Sequence, residues 1–334
     1  MRSLLQVFLI GCLLASFFSG SAQGYVTESK EVKLMGCRFV FRVVADDETT
    51  AWKAINAGID EITRIEKLIS SWDPASQTSE INRNAGIQSI KVDKELFDLI
   101  QRSLKISQLT HGAFDISFAS MDRIYSFDQL EKELPDQEII QNARVLINWQ
   151  NIVLDEQKLS VSLAEKGMKV GFGAIGKGYA ANKAKQVIEA IPGVHGGIVN
   201  ASGDLSIWGK SSDKVNEWNI KISDPSDPDK ILADLMVNNT SVITSGDYEK
   251  YFTSEGKRYS HIIDPKSGLP TSGIKSVTII CKDAEIGDAL ATSVFVLGKE
   301  DGMYLINKLK GVEAIIVTDE NDIIHSENLK LNYY

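Results

Sequence analysis

Residues 51–69 read AWKAINAGIDEITRIEKLI, and they carry the strongest helical pattern in this chain. Their apolar side chains recur at steps of three and four residues, with charged residues between them. That spacing places the apolar side chains on one face of an amphipathic α-helix, which must bury this face against another element. The positions that set the pattern are Trp52, Ile55, Ile59, Ile62, Ile65 and Ile69.

The segments on either side of this helix predict a mixed α and β fold. Residues 31–45 read as one strand, residues 70–84 as a polar loop, and residues 93–110 as a second amphipathic helix with Asp93 at its N-cap. Later strands are predicted at 152–163 (a hairpin), 197–208, 218–222, 233–237, 276–281 and 314–317, and later helices at 136–143, after a glycine-rich turn up to 190, at 285–297 and at 300–309. Because the linkers are short, we predict a single α+β domain over residues 23–334, with a mainly antiparallel sheet, packed helices and two lobes around a central cleft.

The composition of the 334-residue chain is that of an ordinary globular protein, with 43% hydrophobic and 24% charged residues. Its formal net charge is −9. Such an acidic protein is a poor partner for nucleic acid, and we expect none. An anionic small ligand would need local compensation from a metal ion or from a helix N-terminus.

The first residues predict export. An apolar run over residues 4–18 is followed by small residues at 19–22, which is the pattern of a secretory signal peptide cleaved after Ala22. The run is short for a membrane span. The tetrapeptide LIGC, which ends at Cys12, also resembles a lipobox and would leave a lipidated Cys12. We therefore expect a periplasmic protein, either soluble after cleavage or associated with the inner membrane through that lipid.

Two cysteines, Cys37 and Cys281, remain once the signal is removed. Exported proteins can form disulfides, so these two could pair. Two buried thiols in strands are the alternative, and we favour it. The sequence has no CxxC motif and no Cys/His spacing suited to zinc.

Asp288 and Thr292 lie four residues apart in DALATSVFVLG, residues 288–298. In a helix these two side chains share one face, where they offer two oxygen ligands to a hard cation such as Mg²⁺. The structural alternative is an Asp favoured by the helix dipole and a Thr that packs inwards. From this pair alone the structural alternative is the stronger, although the neighbours of Asp288 are apolar.

A glycine-rich segment, GFGAIGKGYA, covers residues 171–180. Glycines before a helix allow backbone N–H groups to approach a phosphate. The segment is not a Walker A loop, because Gly178 follows Lys177 where Ser or Thr is required. It is not a dinucleotide fingerprint either, because no acidic residue follows a second strand at the usual distance. A flexible turn with a solvated Lys177 remains an equal alternative.

The stretch TSGDYEKYFTSEGKRYSHIIDPKSGLP covers residues 244–270. It begins with a predicted turn of small residues at 244–246, and it contains His261. A histidine can act as a general base near neutral pH, but it can equally be a structural residue bonded to the backbone. Together with the carboxylate-hydroxyl pair and the glycine-rich turn, this stretch indicates phosphoryl chemistry on a nucleotide.

Trp72 and Met35 could sandwich a planar ring, because aromatic and thioether side chains suit a flat heterocycle. From composition alone, ordinary core or lid packing explains both residues better. Asn200, Gly203 and Asp204 in the segment NASGD form either a plain turn or a wall of the cleft.

Six ordered segments resemble the ApbE-type flavin transferases, the FAD:protein FMN transferases that bacteria export. The segments are MGCRF (35–39), IEKLISSWDPASQTSEINRN (65–84), GAFDIS (112–117), GAIGKGYA (173–180), TSGDYEKYF with HIIDPKSGLP (244–252 and 261–270) and DALAT (288–292). The resemblance spans nearly all of the chain after the signal. Cys37 stands where Thr is usual in the family, and Ser202 where a second Gly is common, which bears on pocket shape rather than on reaction class.

The resemblance implies a role for each matching residue. The backbone carbonyl of Ala174 and the side chains of Asp288 and Thr292 would bind Mg²⁺. His261 would act as catalytic base, and Lys177 would assist at the phosphates. The residues expected to line the FAD site are Met35, Trp72, Ala113, Phe114, Asp115, Gly171, Lys177 and Ile262.

The resemblance also implies the activity. We expect Mg²⁺-dependent transfer of FMN from FAD to a Thr or Ser hydroxyl of an acceptor flavoprotein, with a phosphoester formed and AMP released. The acceptor would be a subunit of a membrane redox complex or an exported flavoprotein. Two alternatives remain: a Mg²⁺-dependent FAD pyrophosphatase that gives FMN and AMP, and a non-catalytic FAD-binding protein of the envelope.

Overall fold

The computed structural model describes residues 24–121, 124–125, 134–248, 251–254, 257–329 and 332–333. The predicted signal peptide and the lipobox at Cys12 fall outside these residues, so both stay predictions. Within the described ranges, no helix combines the length and the apolar character that crossing a bilayer requires.

In the described chain most helices precede residue 194, and eight successive strands separate the last two α-helices. The α-helices are α1 (Glu48–Ile69), α2 (Gln77–Arg83), α3 (Lys94–Leu109), α4 (Gln137–Arg144), α5 (Gly176–Glu189) and α6 (Ala284–Lys308), and 3₁₀ helices cover Ile116–Met121 and Trp149–Asn151. The strands are β1 (Val26–Leu34), β2 (Cys37–Ala45), β3 (Ile90–Lys91), β4 (Ile152–Asp155), β5 (Ser160–Leu163), β6 (Val194–Ala201), β7 (Asp204–Gly209), β8 (Trp218–Asp224), β9 (Asp227–Val237), β10 (Ser241–Gly246), β11 (Tyr251–Ser254), β12 (Lys257–Ser260), β13 (Ile274–Cys281), β14 (Val312–Thr318), β15 (Ile323–His325) and β16 (Asn332–Tyr333).

One antiparallel sheet of eight strands organises the fold, in the order β1-β2-β6-β7-β10-β13-β14-β15. Smaller antiparallel sheets flank it: β11-β12, β16-β9-β8 and β3-β5-β4. The prediction of an α+β fold with a mainly antiparallel sheet is confirmed.

Helix α1 forms as its pattern predicts, and Asp47 caps it by accepting a hydrogen bond from the N–H of Thr50 at 2.8 Å. The buried face lies against α5 and strands β1 and β2. The closest approach is at Gly58, where a Cβ atom would lie 2.7 Å from the side chain of Ile188 and 2.9 Å from that of Phe41. This face belongs to the first apolar cluster, which unites α1, α3 and α5 with β2 and β6.

A second apolar cluster lies under α6 and joins it to β10, β13 and β14. Ala289 belongs to the first cluster, whereas its neighbours Leu290 and Ala291 belong to the second. Helix α6 therefore lies at the boundary between the two cores. Gly298 interrupts this helix with a φ of 83°, which explains the two separate helices predicted on either side of it.

Two predicted strands are in fact hairpins. The predicted strand over 31–45 is broken at Met35 and Gly36, whose φ angles are 50° and 74°. The predicted strand over 197–208 is broken at Ser202 and Gly203, with φ angles of 51° and 101°. The apolar run hid the turn at Met35, whereas NASGD also predicts a turn as one alternative, so only the extension of one strand across it was wrong.

Two predicted loops were also wrong. The polar segment 70–84 contains α2, which begins because Ser76 accepts a hydrogen bond from the N–H of Ser79 at 3.0 Å. Residues 244–246 are the end of β10, where the hydroxyl of Thr244 lies 2.9 Å from that of Thr278 on β13.

The strand order of the large sheet keeps Cys37 and Cys281 too far apart to form a disulfide. Cys37 begins β2 and Cys281 ends β13, and three strands lie between these two. Four steps between strands amount to roughly 19 Å. Bridged cysteines need Cα atoms within about 7 Å of each other, so these two do not pair. Burial raises the pKa of Cys281 to about 11, which makes its thiol unreactive.

Truncation of a buried residue on α1 tests this core. Because Ile62 is fully buried in the first cluster, we expect Ile62→Ala to lower the free energy of unfolding by about 2–5 kcal/mol in a urea titration. The exposed Lys53→Ala on the same helix should change it by less than about 0.5 kcal/mol. Equal effects of the two changes would contradict the assignment of the buried face.

Candidate active site

The candidate site is built where the first turn of α5 crosses α6. Gly178 makes the crossing possible, because a Cβ atom there would lie 2.1 Å from the carbonyl oxygen of Ala284 and 2.9 Å from the Cβ of Asp288. Only glycine allows the two backbones to approach this closely. The glycine-rich segment thus brings the beginning of α5 onto the carboxylate of Asp288.

The carboxylate of Asp288 accepts hydrogen bonds from backbone N–H groups at the beginning of α5. Gly178 donates its N–H to Oδ2 of Asp288 at 3.0 Å, and the N–H of Lys177 also points to this carboxylate. Gly178 is the third residue of α5, so its N–H has no partner within the helix. The carboxylate of Asp288 supplies that partner, and the helix N-terminus gains a negative charge beside it.

Asp288 is one of three charged side chains that meet here. Its side chain is only 2% exposed, and it contacts Asp204, whose Oδ2 lies 2.6 Å from Nζ of Lys177. Burial raises the pKa of Asp288, while the charge of Lys177, the N–H groups of Gly178 and Lys177 and the contact with Asp204 oppose that rise. The structure thus joins two predicted site residues to Asp204, which the sequence pattern left as turn or cleft wall.

The other two predicted metal ligands lie beside this cluster. Thr292 is half-buried one turn after Asp288 on α6. Ala174 is half-buried in the turn that leads into α5. The predicted set thus comes from two elements in contact, and it consists of a carboxylate, a hydroxyl and a carbonyl oxygen.

This donor set fits a hard divalent cation. Among the described residues, no three His, Cys, Asp or Glu side chains are arranged as a metal cage. A cation here would therefore complete its shell with neutral protein oxygens, water or substrate phosphate. Mg²⁺ is bound in this manner in phosphate-handling sites, whereas zinc takes nitrogen and sulfur ligands.

Two of the predicted flavin-binding residues, Met35 and Gly171, lie near the segment that leads into α5. Met35, in the β1-β2 turn, reaches Gly176, since a Cβ atom at that glycine would lie 3.6 Å from Cε of Met35. At Gly171, a Cβ atom would lie 2.9 Å from Cβ of Ala119 and 3.6 Å from Oγ of Ser71. Gly171 therefore adjoins both the 3₁₀ helix after residue 115 and the loop that carries Trp72.

Trp72 differs from its predicted companions because its side chain is 75% exposed. Its backbone is nevertheless held, since its N–H donates to Oγ of Ser70 at 3.2 Å. Ala113 and Phe114, in contrast, are buried, and Phe114 belongs to the first apolar cluster. The exposed indole therefore does not fill the core, and its role against a flat ligand stays a prediction.

Asp115 has an internal role in this structure. Its Oδ1 accepts hydrogen bonds from the N–H and the hydroxyl of Ser117 at 2.8 and 2.6 Å, and its Oδ2 accepts one from the N–H of Trp149 at 2.8 Å. Burial raises the pKa of Asp115 despite these donors. The carboxylate thus shapes the wall of the predicted FAD site by holding two backbone segments together.

His261 lies half-buried between β12 and a tight turn. The N–H of Ile262 donates to Oγ of Ser260 at 2.9 Å, and the N–H of Thr271 donates to the carbonyl of Ile262 at 2.9 Å. Asp264 closes the turn, since its side chain accepts hydrogen bonds from the next backbone N–H groups. Ile262 belongs to the second apolar cluster, as do Leu290 and Ala291, which places the His261 segment against the core under α6.

A cavity of about 420 Å³ borders the His261 segment at one end of the large sheet. Most of its lining is polar. The residues that line it are Pro225, Ser226, Asp247, Ser260, Thr271, Ser272, Ile274, Lys275 and Asp319.

Asn82 is a site residue without an assigned role in the sequence analysis. Its side-chain amide donates to the carbonyl of Val170 at 2.9 Å and accepts from the N–H of Val170 at 2.8 Å. This pair of bonds holds the backbone directly before Gly171. In the sequence, Asn82 is marked only by its place in the SEINRN segment. Its partner Val170 lies 88 residues away along the chain, so residue spacing could not predict this contact.

A model of the ApbE family matches residues 35–316 of the chain. The chain belongs to the ApbE family. It is similar to an FAD:protein FMN transferase of Klebsiella pneumoniae (strain 342), with 32% identity over 302 residues, 90% of this chain and 92% of that protein. It is also similar to an FAD:protein FMN transferase of Treponema pallidum (strain Nichols), with 29% identity over 281 residues, 79% of this chain and 77% of that protein.

The fold agrees with solved members of the ApbE family. The ApbE protein of Thermotoga maritima has a TM-score of 0.83 and 29% sequence identity, and the match covers 90% of this chain and 97% of that one. All the predicted site residues, from Met35 to Thr292, fall inside the range matched by the ApbE family model.

The crossing of α5 and α6 can be tested at its glycine. We expect Gly178→Ala to destabilise the protein by about 1–3 kcal/mol or more, because the added methyl group meets backbone that cannot move aside. Gly173→Ala is the matched control, since a Cβ atom there meets only the Phe118 ring at 3.4 Å. Urea unfolding monitored by circular dichroism measures both, and a Gly178 variant as stable as the control would disprove the close crossing.

Proposed function

We propose that this protein is a Mg²⁺-dependent FAD:protein FMN transferase that moves FMN from FAD to a Ser or Thr hydroxyl of an acceptor flavoprotein. The observation that carries the proposal is the meeting of Asp288, Lys177 and the N-terminus of α5 in one buried cluster. Such a place can hold a divalent cation and a diphosphate side by side. Relatives named FAD:protein FMN transferase that align over most of the chain support the same reading.

The chain's own groups would bind the diphosphate of FAD electrostatically. The N–H groups of Lys177 and Gly178 already point to Asp288, so α5 would act on the diphosphate through the positive end of its helix dipole. Lys177 adds an ammonium group that is about one-fifth exposed, so it can still reach a ligand. Ala174, Asp288 and Thr292 would hold Mg²⁺, which when bound neutralises negative charge on the diphosphate.

His261 would take the proton of the incoming hydroxyl. The hydroxyl oxygen attacks the phosphorus of the FMN half, the bond from that phosphorus to the bridging oxygen breaks, and the bridging oxygen leaves with AMP. One phosphoester forms for each FAD consumed, and the proton passes from His261 to solvent. The hydrogen bonds around Ile262 keep this imidazole on a defined segment of backbone.

The acceptor would approach through the cavity beside His261. Its wall includes Ser260 and Thr271, which bracket the His261 segment. Hydroxyl groups along the wall can donate to and accept from a peptide backbone. Because the described residues of the lining include no aromatic side chain, the cavity suits a polypeptide segment better than the flavin ring.

Export would bring the enzyme to its acceptors. A signal peptide cleaved after Ala22, or a lipid on Cys12, would place the protein in the periplasm or on the periplasmic side of the inner membrane. The acceptors we propose there are subunits of membrane redox complexes and exported flavoproteins. Radiolabelled lipid incorporation into the intact protein, compared with Cys12→Ala, tells the two forms apart.

Mass spectrometry of a co-expressed candidate acceptor tests the proposed activity directly. The expected result is one added FMN on a Ser or Thr residue. The purified protein is also incubated with FAD and Mg²⁺ in the absence of acceptor. Rapid release of AMP there, without transfer to protein, would identify an FAD pyrophosphatase. Intact FAD in both experiments would identify a binding protein.

Removal of the buried carboxylate should stop the transfer. We expect Asp288→Ala to lower the transfer rate by at least about 10²- to 10³-fold, as loss of a charge-stabilising contact does. EDTA should have the same effect on the intact enzyme. Asp301→Ala, at an exposed position on the same helix, is the matched control and should retain full activity. Mg²⁺-dependent transfer by the folded Asp288 variant would defeat the metal assignment.

Replacement of His261 separates base catalysis from binding. We expect His261→Gln to lower the rate of FMN transfer by roughly 10²- to 10⁴-fold while FAD binding stays within a factor of three, since general-base catalysis contributes to the rate only. His325→Gln, at an exposed histidine on β15, is the control. Fluorescence titration with FAD measures binding, and a His261 variant with unchanged transfer rate would exclude the imidazole as the base.

A further inference from the structure

Asp204 is the one member of the charged cluster without a role in the proposed reaction. It is the first residue of β7, where it pairs with Ala201 on β6 and Ile243 on β10. Its side chain is completely buried. Because β7 is an inner strand of the large sheet, the carboxylate of Asp204 has a fixed position.

The ammonium group of Lys177, in contrast, has no position fixed by the backbone. Its ammonium sits on a flexible four-carbon stem, so the partner it finds decides where the charge rests. That partner is Asp204, with Nζ 2.6 Å from Oδ2. The carboxylate of Asp288 contacts that of Asp204, so it lies next to the same ion pair, and the charge of Lys177 acts on it.

The two carboxylates therefore compete for one ammonium group. An ammonium on Asp288 would occupy the carboxylate that the divalent cation needs. An ammonium on Asp204 neutralises that buried carboxylate and leaves the Asp288 carboxylate to the helix N-terminus and to a cation.

We propose that Asp204 is a positioning residue: it retains the Lys177 ammonium on the sheet and thereby keeps the Asp288 carboxylate available to the divalent cation. This inference depends on the proposed function, because it assumes the cation site at Asp288. It assigns to Asp204 no contact with the cation itself.

In Asp204→Asn the ammonium loses its charged partner and moves to Asp288, where it competes with the cation. Loss of a group that orients a metal ligand typically weakens metal binding roughly 10- to 100-fold, and we expect a loss in that range. In Asp204→Asn/Lys177→Met the competing charge is gone as well, so affinity returns to within threefold of the wild-type value.

The test is a titration of the full-length protein with Mn²⁺, in which electron paramagnetic resonance counts the free ion. No FAD is present, so the readout is binding rather than turnover. The samples are the wild type, Asp288→Ala, both Asp204 variants and Asp98→Asn. The last is the matched control, since Asp98 also pairs with a lysine at 2.6 Å, at the surface on α3.

Weak binding by Asp204→Asn and recovered binding by the double variant support the proposal. If Asp204 were a metal ligand, or only a folding element, the double variant would stay as weak as the single one, which overturns it. Unchanged binding by Asp204→Asn overturns it too. Removing both members of a buried ion pair is tolerated better than removing one. Should Asp204→Asn fail to fold, the double variant alone therefore decides: wild-type affinity supports the proposal, and lost affinity refutes it.

The wild-type titration separates this inference from the proposed function. If the wild type binds Mn²⁺ no better than Asp288→Ala does, the cation site itself is wrong, and the role of Asp204 falls with it. If the wild type binds Mn²⁺ through Asp288 and only the Asp204 variants depart from expectation, the proposed function stands and the inference alone fails.

Discussion

The contact between the first turn of α5 and the carboxylate of Asp288 is the constraint on which the site depends. It requires a glycine at position 178, because any side chain there would meet the backbone of α6. It turns the N-terminus of α5 towards α6, and so it decides where Lys177 and the carbonyl of Ala174 lie. Since α6 also marks the boundary between the two apolar cores, a shift at this crossing would be transmitted to both.

The same contact explains how a protein with a net charge of −9 could bind an anionic dinucleotide. The cluster itself joins two carboxylates to one ammonium, so the divalent cation that the oxygen ligands would hold supplies the excess positive charge, and the N-terminus of α5 adds to it. Acidic side chains elsewhere on the surface affect the potential at this site only weakly, because salt screens the interaction between exposed charges that lie far apart. Local arrangement, rather than overall charge, is what the proposed chemistry requires.

Elements with a strong local period could be predicted from the sequence, and contacts between distant residues could not. Helices α1 and α3 were placed within three residues because their apolar faces repeat over several turns. The β1-β2 hairpin was missed because its turn residues, Met35 and Gly36, continue an apolar run. Asp204 lies 27 residues from Lys177 along the chain, so no spacing pattern could reveal their ion pair. The site residues were predicted from the family resemblance, whereas the crossing at Gly178 emerged only from the fold.

The most direct test of the account is anomalous diffraction from crystals of this protein soaked with Mn²⁺ and FAD. The account predicts one strong manganese peak at about 2.0–2.3 Å from a carboxylate oxygen of Asp288, with the Ala174 carbonyl, the Thr292 hydroxyl and diphosphate oxygens completing its shell. A peak away from α6, or a flavin dinucleotide bound with its diphosphate far from the beginning of α5, would contradict it.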